Sequence, residues 1–410
     1  MNHRMEPLVP DLAALRPKAE RCWVLANDLG RHLHPHTLDL VAGTVRTVNC
    51  YYSNLIEGHD THLVEIDRAM RKDYSKDPLR RDLQMEARAH IEVQKLIEAR
   101  LATEPALNVC APDFLRWIHR EFYDRLPEAF RWVTGPGGKR EPVHPGEYRH
   151  HDVIVGAHIP LAAEELPGAL ERFAEVYDPE KRSPIDTLAI LGAAHHRLLW
   201  IHPFGDGNGR VTRLMTDAML RRIGMKSHGL WTASRGLARA RDRYRELLAG
   251  ADAKKWDDYD GKGELTLKGL TAFADFFLDI CLDQVTFMGG VLGVDGLAAR
   301  MEKYALARST GLIPPPADLK GAPERLRPEL APLVRDLVYR GEIPRAEVPA
   351  RLGVESRTAR RIVAEGMAEG VLVSATTKSP LRLALPSAVA GYVLPGMYGA
   401  GAYGAGAYGG

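Results

Sequence analysis

The chain has 410 residues, of which 45% are hydrophobic and 26% are charged, and its 55 Lys and Arg nearly balance its 53 Asp and Glu. This length and hydrophobic content suffice for two or three folded domains and exclude a chain that is disordered throughout. The charge balance argues against a polyanion binder along the whole chain, but it does not exclude a local basic patch.

Neither a membrane segment nor a secretory signal is evident in the sequence. No apolar run approaches the roughly 18 residues of a membrane helix, and the first residues are too polar for a signal peptide. The 4 cysteines stand far apart and show no metal or redox spacing. We therefore expect a cytoplasmic protein with reduced thiols and no membrane partner.

Apolar residues recur every three or four positions along most of the chain, which predicts a mainly α fold. In chain order, the predicted helices cover residues 38–55, 61–73, 80–102, 114–126, 164–177, 186–200, 209–223, 237–249 and 269–284. Residues 147–159 are the exception, because they are rich in β-branched residues and lie between Pro145 and Pro160. They are predicted to form a β-hairpin that projects from the helical body.

The last part of the chain is organised differently. Residues 286–324 include a proline-rich stretch and are predicted to form a linker. Residues 325–386 show three short helices followed by two apolar strands, the order of a winged helix-turn-helix. Residues 387–410 contain eight glycines and end in a GAYGA repeat, which predicts a Gly/Ala/Tyr-rich flexible tail. Ahead of these units we expect an N-terminal helical region at 1–110 and a core domain at 111–285.

One segment concentrates groups suited to phosphate chemistry: His202-Pro203-Phe204-Gly205-Asp206-Gly207-Asn208-Gly209-Arg210-Val211-Thr212-Arg213. Glycines at the start of a helix let backbone N–H groups approach an anion. Arg210 and Arg213 lie three apart on one helix face and suit phosphate oxygens. Asp206 could hold a divalent metal, and His202 could take a proton from a hydroxyl. A Walker-type loop is excluded, because no Lys-Ser/Thr follows and no strand precedes, whereas a purely structural turn with a surface histidine remains the alternative.

This segment resembles the signature of the Fic family, H-x-F-x-[DE]-G-N-G-R-x-x-R, at every fixed position. Fic enzymes generally transfer AMP from ATP to a Ser, Thr or Tyr hydroxyl of a target protein. The resemblance implies a Fic-fold helical core with a β-hairpin flap, with His202 as the base, Phe204 in the core and Asp206 on Mg²⁺. It further implies that ATP is bound by Gly205, Asp206, Gly207, Asn208, Gly209, Arg210 and Arg213.

Residues 53–58, Ser-Asn-Leu-Ile-Glu-Gly, resemble the inhibitory motif of the same family, [ST]-x-x-x-E-[GN]. Gly58 is predicted to end a helix, and an acid such as Glu57 in the last helical turn opposes the helix dipole and needs a cationic partner. The resemblance implies that Ser53, Glu57 and Gly58 are inhibitory and that Glu57 pairs with Arg213. An ordinary surface glutamate is the alternative, and a carboxylate here could also activate water and remove AMP.

Three further interpretations concern aromatic and histidine side chains. Residues 241–247 resemble a segment that lies near the nucleotide base in relatives, so Tyr244 is predicted to stack on adenine, although Arg245 replaces the second tyrosine that relatives often carry. Trp256 and the pair Phe276-Phe277 are expected in the core. His195 and His196 are adjacent and cannot share one helix face, so we interpret them as packing residues.

The sequence therefore predicts a protein adenylyltransferase that uses ATP and Mg²⁺, acts on a target protein and is inhibited by Glu57. Self-modification, for example on the repeated tyrosines Tyr398, Tyr403 and Tyr408, and a homodimer are left open. The main alternative is a DNA-binding regulator whose core senses nucleotide, because residues 325–386 carry eleven Lys and Arg against seven Asp and Glu, with Arg357, Arg360 and Arg361 on the predicted recognition helix. A Fic enzyme that transfers UMP or a phosphate is another alternative.

Overall fold

A computed structural model describes residues 3–135, 138–225, 229–316, 319 and 321–398. The described part is mainly α-helical, as predicted. Its sixteen α-helices are α1 Leu12–Asp28, α2 Pro35–Ile56, α3 Leu63–Met70, α4 Pro78–Thr103, α5 Pro112–Tyr123, α6 Leu166–Tyr177, α7 Pro184–Ile201, α8 Asn208–Arg222, α9 Ala233–Arg239, α10 Arg241–Ala251, α11 Leu267–Leu292, α12 Val294–Thr310, α13 Leu330–Arg340, α14 Val348–Leu352, α15 Ser356–Ala368 and α16 Ser387–Val393.

Helix α7 is the centre of the core. Ser183 caps its first turn by accepting a hydrogen bond from the Asp186 backbone N–H at 3.1 Å, and Pro184 supplies the fixed φ of a first helical residue. Almost every residue from 187 onward is buried, because α1, α6, α8 and α11 pack around it. A helix that is apolar all round must be covered on every side. Because α7 is held in this way, the position of its C-terminal end is fixed within the core.

Two predicted helices differ from those observed. The helix predicted over 237–249 is two helices, α9 and α10, which meet at Ala240, whose φ of −106° and ψ of 31° are not helical. The helix predicted over 269–284 is longer, because α11 extends to Leu292. The break at Ala240 carries no local glycine or proline signal, whereas the extension of α11 runs through Gly289 and Gly290, residues that disfavour a helix.

The regular β-hairpin precedes the segment 147–159 in which it was predicted. A regular antiparallel pair joins β1, Trp132–Thr134, to β2, Arg140–Pro142. Within 147–159 the only bridge between described residues joins Val155 to His158 around a tight turn. The flap segment is therefore a short turn without a strand ladder, and its Ile154 and Ile159 side chains are 75% and 66% exposed.

The predicted linker is wrong for most of its length. Residues 286–310 belong to α11 and α12, and only residues after Thr310 leave regular structure. Arg308 of α12 is fully buried and pairs with the fully buried Glu369, while it also donates to the backbone oxygens of Pro323 and Glu324. This buried pair joins α12 to the C-terminal unit, so the connection is packed rather than free.

The C-terminal unit follows the predicted order of helices and strands. Helices α13, α14 and α15 precede β4, Leu372–Val373, and β5, Leu381–Leu383. A further short strand, β3 at Glu342–Ile343, pairs with β5, so that the sheet order is β3-β5-β4. The unit contacts the beginning of α2, where the Thr37 hydroxyl donates to the Val338 backbone oxygen at 3.0 Å.

The prediction of a flexible tail from residue 387 is wrong for residues 387–398. These residues form α16 and a turn whose apolar side chains, including Leu394 and Met397, are buried against the helices. Arg235 of α9 holds this segment by donating to the backbone oxygens of Gly396 and Met397. Tyr398 is 6% exposed and so is not the exposed hydroxyl that was expected, whereas Tyr403 and Tyr408 lie outside the described residues.

Among the described residues, no single helix is long and apolar enough to span a bilayer. One bent pair, Leu267–Leu292 with Gly296–Thr310, passes by length and composition but is bent by 56°.

Candidate active site

The junction of α7 and α8 holds the segment singled out in the sequence. His202 ends α7 with φ 51° and ψ 61°, a left-handed conformation that is uncommon for a residue other than glycine. Its backbone N–H donates to the Leu198 oxygen at 3.1 Å, which closes the helix. The ring of His202 lines a cleft of about 900 Å³ between the flap turn and α10.

His202 is held in the neutral form that a general base needs. Burial, together with the nearby positive charge of Arg149, lowers the pKa of its imidazole to about 4. The ring also hydrogen-bonds to the backbone of Leu199. A neutral imidazole has one donor and one acceptor nitrogen, so one nitrogen is free to accept a proton at neutral pH.

The loop after His202 is fixed by its own side chains. Asn208 accepts from the Phe204 backbone N–H and donates to the Phe204 oxygen, both at 2.9 Å. Phe204 is fully buried, as the resemblance implies, and stacks on His119 with ring centroids 4.1 Å apart. The amide of Asn208 is thus committed to the loop, and we interpret it as a residue that shapes the anion site rather than one that contacts a phosphate with its side chain.

Glycine is required at Gly207, the residue before α8. Its φ of 78° is left-handed, and a Cβ there would lie 2.7 Å from the Tyr123 ring. The turn brings Gly209, in the first turn of α8, close to the side chain of Glu57 at the end of α2. Such a helix N terminus attracts anions through its unpaired N–H groups and its dipole.

The carboxylate of Glu57 lies at this helix N terminus. Glu57 follows the last residue of α2, and a Cβ added to Gly209 would collide with its Oε1. Oε1 accepts from Nη2 of Arg213 at 2.5 Å. Burial opposes ionisation of Glu57, but the attraction of Arg213 and Arg210 outweighs it and lowers the pKa of the carboxyl. A protein carboxylate therefore stands in the place where the loop would receive a phosphate.

Ser53 fixes the other side of Arg213. The Ser53 hydroxyl accepts from Nε of Arg213 at 2.8 Å, and the Ser53 backbone oxygen accepts from Nη2 at 3.2 Å. Ser53 is one turn before Glu57 on α2, so both reach the same guanidinium. Gly58, with φ 93°, ends the helix as predicted. Ser53 and Glu57 thus contact the second motif arginine, and the inhibitory role of the motif stays a prediction.

Arg210 points to a different set of partners. It ion-pairs with Glu86 of α4, which is fully buried, and donates to Oδ2 of Asp206 at 3.2 Å. Glu86 also accepts from Nδ1 of His59 at 2.7 Å, and this hydrogen bond raises the pKa of the imidazole. Glu86 was not singled out in the sequence, because no local pattern marks a glutamate inside an amphipathic helix.

Asp206 is the carboxylate nearest the loop opening. Its side chain is 40% exposed, and Oδ2 accepts from the Tyr123 hydroxyl at 2.7 Å as well as from Arg210. Burial opposes ionisation, yet the charge of Arg210 and the Tyr123 hydrogen bond lower the pKa of the carboxyl. The described residues contain no group of three His, Cys, Asp or Glu side chains that could hold a metal alone. One partly exposed carboxylate fits Mg²⁺ that is shared with substrate phosphates.

Two residues missed in the sequence join the flap to the loop. Arg149 is buried; its Nε donates to the His202 oxygen at 2.9 Å, and its backbone N–H donates to the Pro203 oxygen at 2.9 Å. Nδ1 of His119 accepts from the Gly146 N–H at 2.8 Å, and Nε2 lies 3.3 Å from the backbone oxygen of Asp206. A tertiary contact of this kind leaves no spacing in the sequence, although Arg149 falls in the flap segment that the resemblance covers.

Tyr244 lies in the interior beneath the site. Its side chain is 5% exposed, and its hydroxyl contacts Nε2 of His195 at 3.0 Å. His195 and His196 are fully buried packing residues, as expected. The adenine-stacking role of Tyr244 stays a prediction. Arg245, by contrast, lines the cleft that contains His202.

Trp256 is a correction to the expected core. Its side chain is 87% exposed and stands on a loop with Tyr259, which is 96% exposed. The carboxylates of Asp257 and Asp260 accept hydrogen bonds from nearby backbone N–H groups and so fix that loop, on which both rings face outward. Phe277 is fully buried and Phe276 packs against the core, as expected.

The described site combines a glycine-rich loop at a helix N terminus, two arginines paired with carboxylates and a buried histidine, an arrangement that suits a phosphate ligand. The sequence model described as "Fic/DOC family" matches residues 109–220, which include the loop and both motif arginines. Residues 109–220 therefore match the Fic/DOC family model, which supports the resemblance noted in the sequence. A solved Fic domain-containing signalling protein from Bacteroides thetaiotaomicron has a similar fold, with a TM-score of 0.51 and 19% identity over 67% of this chain and 96% of that one.

Two similar relatives carry the name "Protein adenylyltransferase Fic". The protein from Nematostella vectensis is 32% identical over 177 residues, which are 42% of this chain and 37% of the relative. The protein from Drosophila melanogaster is 38% identical over 87 residues, 21% of this chain and 18% of the relative. The chain thus spans well under half the length of the curated relatives that it matches.

Proposed function

We propose that this protein is a protein adenylyltransferase that transfers the AMP moiety of ATP to a hydroxyl group of a target protein. The observation that carries the proposal is the joint presence of a neutral His202 and of a helix N terminus already occupied by a carboxylate. The relatives named adenylyltransferases support the same reaction.

The groups present are sufficient for the transfer. His202 accepts the proton of the target hydroxyl as its oxygen attacks the α-phosphorus of ATP, and the bond to the pyrophosphate leaving group breaks. The N–H groups at the start of α8 stabilise charge on the α-phosphate. Asp206 would hold Mg²⁺, which would neutralise the phosphate charge. The flap turn, tied to the loop by Arg149, holds the target segment beside His202.

The proposal includes inhibition by Glu57. A carboxylate at the N terminus of α8 occupies an anion position and engages Arg213. An incoming phosphate would meet repulsion from Glu57 and would lack Arg213 as a partner. The resting form of the protein should therefore be inactive until the end of α2 moves. ATP as substrate, Mg²⁺ as metal and a cytoplasmic location are parts of this proposal.

The position of the transferred label tests the reaction. Glu57→Gly protein is incubated with Mg²⁺ and ATP that is labelled either at the α- or at the γ-phosphate, with added cell proteins as targets. The proposal expects stable protein label from α-labelled ATP only. Label from γ-labelled ATP would show phosphate transfer, and preference for UTP over ATP would show a different nucleotide. Either result would contradict adenylyl transfer.

One observation favours a second activity, nucleic-acid contact by the C-terminal unit. Arg357, Arg360 and Arg361 are exposed on α15, and none forms an ion pair among the described residues. Arginines on one helix suit phosphate and base-edge contacts. Fluorescence anisotropy with selected duplexes tests this activity. Charge-removing substitution of Arg357 and Arg360 should abolish salt-dependent binding, and Arg351→Gln, at an arginine already paired with Glu347, should not.

A further inference from the structure

Glu86 is the second carboxylate that engages a motif arginine. It lies inside α4, a helix of 26 residues, and its side chain is 0% exposed. One carboxylate oxygen accepts from Arg210 and the other from His59. Two partners satisfy this buried charge, which would otherwise be costly in the protein interior.

The two motif arginines differ in how their carboxylate partners are held. Glu57 is 31% exposed and follows the end of α2, so a local movement of that helix end can withdraw it from Arg213. Glu86 can leave Arg210 only if the middle of α4 separates from the core. Removing one partner from a buried ion pair typically costs about 3–5 kcal/mol. Arg210 is therefore held by its carboxylate partner more firmly than Arg213 is.

Arg210 connects Glu86 with the candidate metal ligand. Its guanidinium lies 5.2 Å from the centre of the Phe122 ring and donates to Oδ2 of Asp206. The Tyr123 hydroxyl donates to the same oxygen. Oδ2 of Asp206 is thus held by two donors, the Tyr123 hydroxyl and the Arg210 guanidinium. The Arg210 guanidinium is itself held by Glu86.

We propose that Glu86 is a positioning residue that holds Arg210 against Asp206, so that Arg210 orients the metal-binding carboxylate. The proposal rests on the proposed function for its nucleotide, and it adds a positioning role to the phosphate contact that the family resemblance implies for Arg210. Partners that orient a metal ligand typically affect metal affinity by about 10–100-fold.

Binding measurements in the Glu57→Gly protein test the proposal. The affinity for Mn²⁺ in the presence of ATP is measured by electron paramagnetic resonance, and the affinity for ATP without divalent metal by calorimetry. Glu86→Gln should weaken Mn²⁺ binding about tenfold and leave metal-free ATP binding unchanged. Glu86→Asp, which keeps the charge and is gentler on folding, should weaken Mn²⁺ binding less. Unchanged Mn²⁺ affinity in both variants would overturn the proposal, and so would tighter metal-free ATP binding, which would show Arg210 released to the phosphates.

Glu98 supplies a matched control. It lies on the same helix and also bridges to α2 and α8, through Arg46 at 2.7 Å and Arg221 at 3.0 Å, but away from the loop. Glu98→Gln should leave Mn²⁺ affinity unchanged. Equal weakening by Glu98→Gln would show a general effect of α4 and would overturn the proposal.

A nucleotide-free measurement separates this proposal from the proposed function. Denaturant unfolding of Glu86→Gln, Asp206→Asn and the double variant measures whether the two carboxylates are coupled through Arg210. Non-additive loss of stability supports positioning even if the Glu57→Gly protein fails to bind ATP, a result that would contradict the proposed function alone. Additive losses would overturn the proposal.

Discussion

Replacing Glu57 by glycine should convert the resting protein into one that binds ATP tightly. The substitution removes the carboxylate from the N terminus of α8 and breaks the 2.5 Å ion pair to Nη2 of Arg213, while Ser53 still accepts from Nε and Nη2. A hydrogen bond to a charged group contributes roughly 1.5–3 kcal/mol. Since about 1.4 kcal/mol corresponds to a factor of ten, the Kd for ATP should fall by roughly 10- to 100-fold.

Calorimetry with ATP and Mg²⁺ measures this change, and self-modification followed by α-labelled ATP should rise in parallel. Glu104→Gly is the matched control, because Glu104 likewise follows a helix end and pairs with an arginine, Arg100, at 2.9 Å on an exposed surface. It should leave ATP affinity unchanged. If Glu57→Gly binds ATP no more tightly than the unaltered protein, the interpretation of Glu57 as an occupant of the phosphate site is refuted.

Three further predictions follow from the same contacts. In the Glu57→Gly protein, His202→Ala should lower the transfer rate by about 10²–10⁴-fold and leave ATP affinity nearly unchanged; a comparable loss of affinity would show that His202 binds nucleotide instead of acting as a base. The free energy of unfolding should decrease as the pH falls from about 6.5 to about 4. Burial lowers the pKa of His202 to about 4 and that of His119 to about 3, so the unfolded chain binds these protons at a higher pH than the folded protein does. Urea unfolding measures this change, and a constant free energy of unfolding across this pH range would contradict the account. Glu369→Gln should lower the free energy of unfolding by about 3–5 kcal/mol, because it leaves the fully buried Arg308 without its counter-charge. Glu347→Gln, at an exposed pair with Arg351, should lower it by under about 1 kcal/mol. Thermal unfolding measures both changes, and equal losses would refute the importance of burial.

The sequence predicted the parts of the site that are local in the chain. Residues 202–213 form one loop and one helix start, so spacing alone places the glycines at the helix N terminus and both arginines on one helix. The contact between Glu57 and Arg213 spans 156 positions. This contact could be expected only from the resemblance. Helix electrostatics indicate that a glutamate at the C-terminal end of a helix needs a cationic partner, but they do not identify the partner residue.

The parts that could not be predicted depend on tertiary packing. Glu86, Arg149 and His119 reach the loop from separate elements, and each appears in the sequence as an ordinary helix or loop residue. Residues 387–398 have the composition of a tail, but their apolar side chains are buried and Arg235 donates to the backbone oxygens of Gly396 and Met397, just after α16. Composition indicates the conformational entropy that a glycine-rich segment loses on ordering. It does not reveal the protein surface whose contacts compensate for that loss.

The direct test of the central claim is the intact mass of the protein after incubation with ATP and Mg²⁺. The Glu57→Gly protein should gain the mass of one or more AMP groups, and the Glu57→Gly, His202→Ala protein should gain none. Equal gain in both would contradict the role of His202 as the base, and a gain equal to a phosphate group would contradict adenylyl transfer.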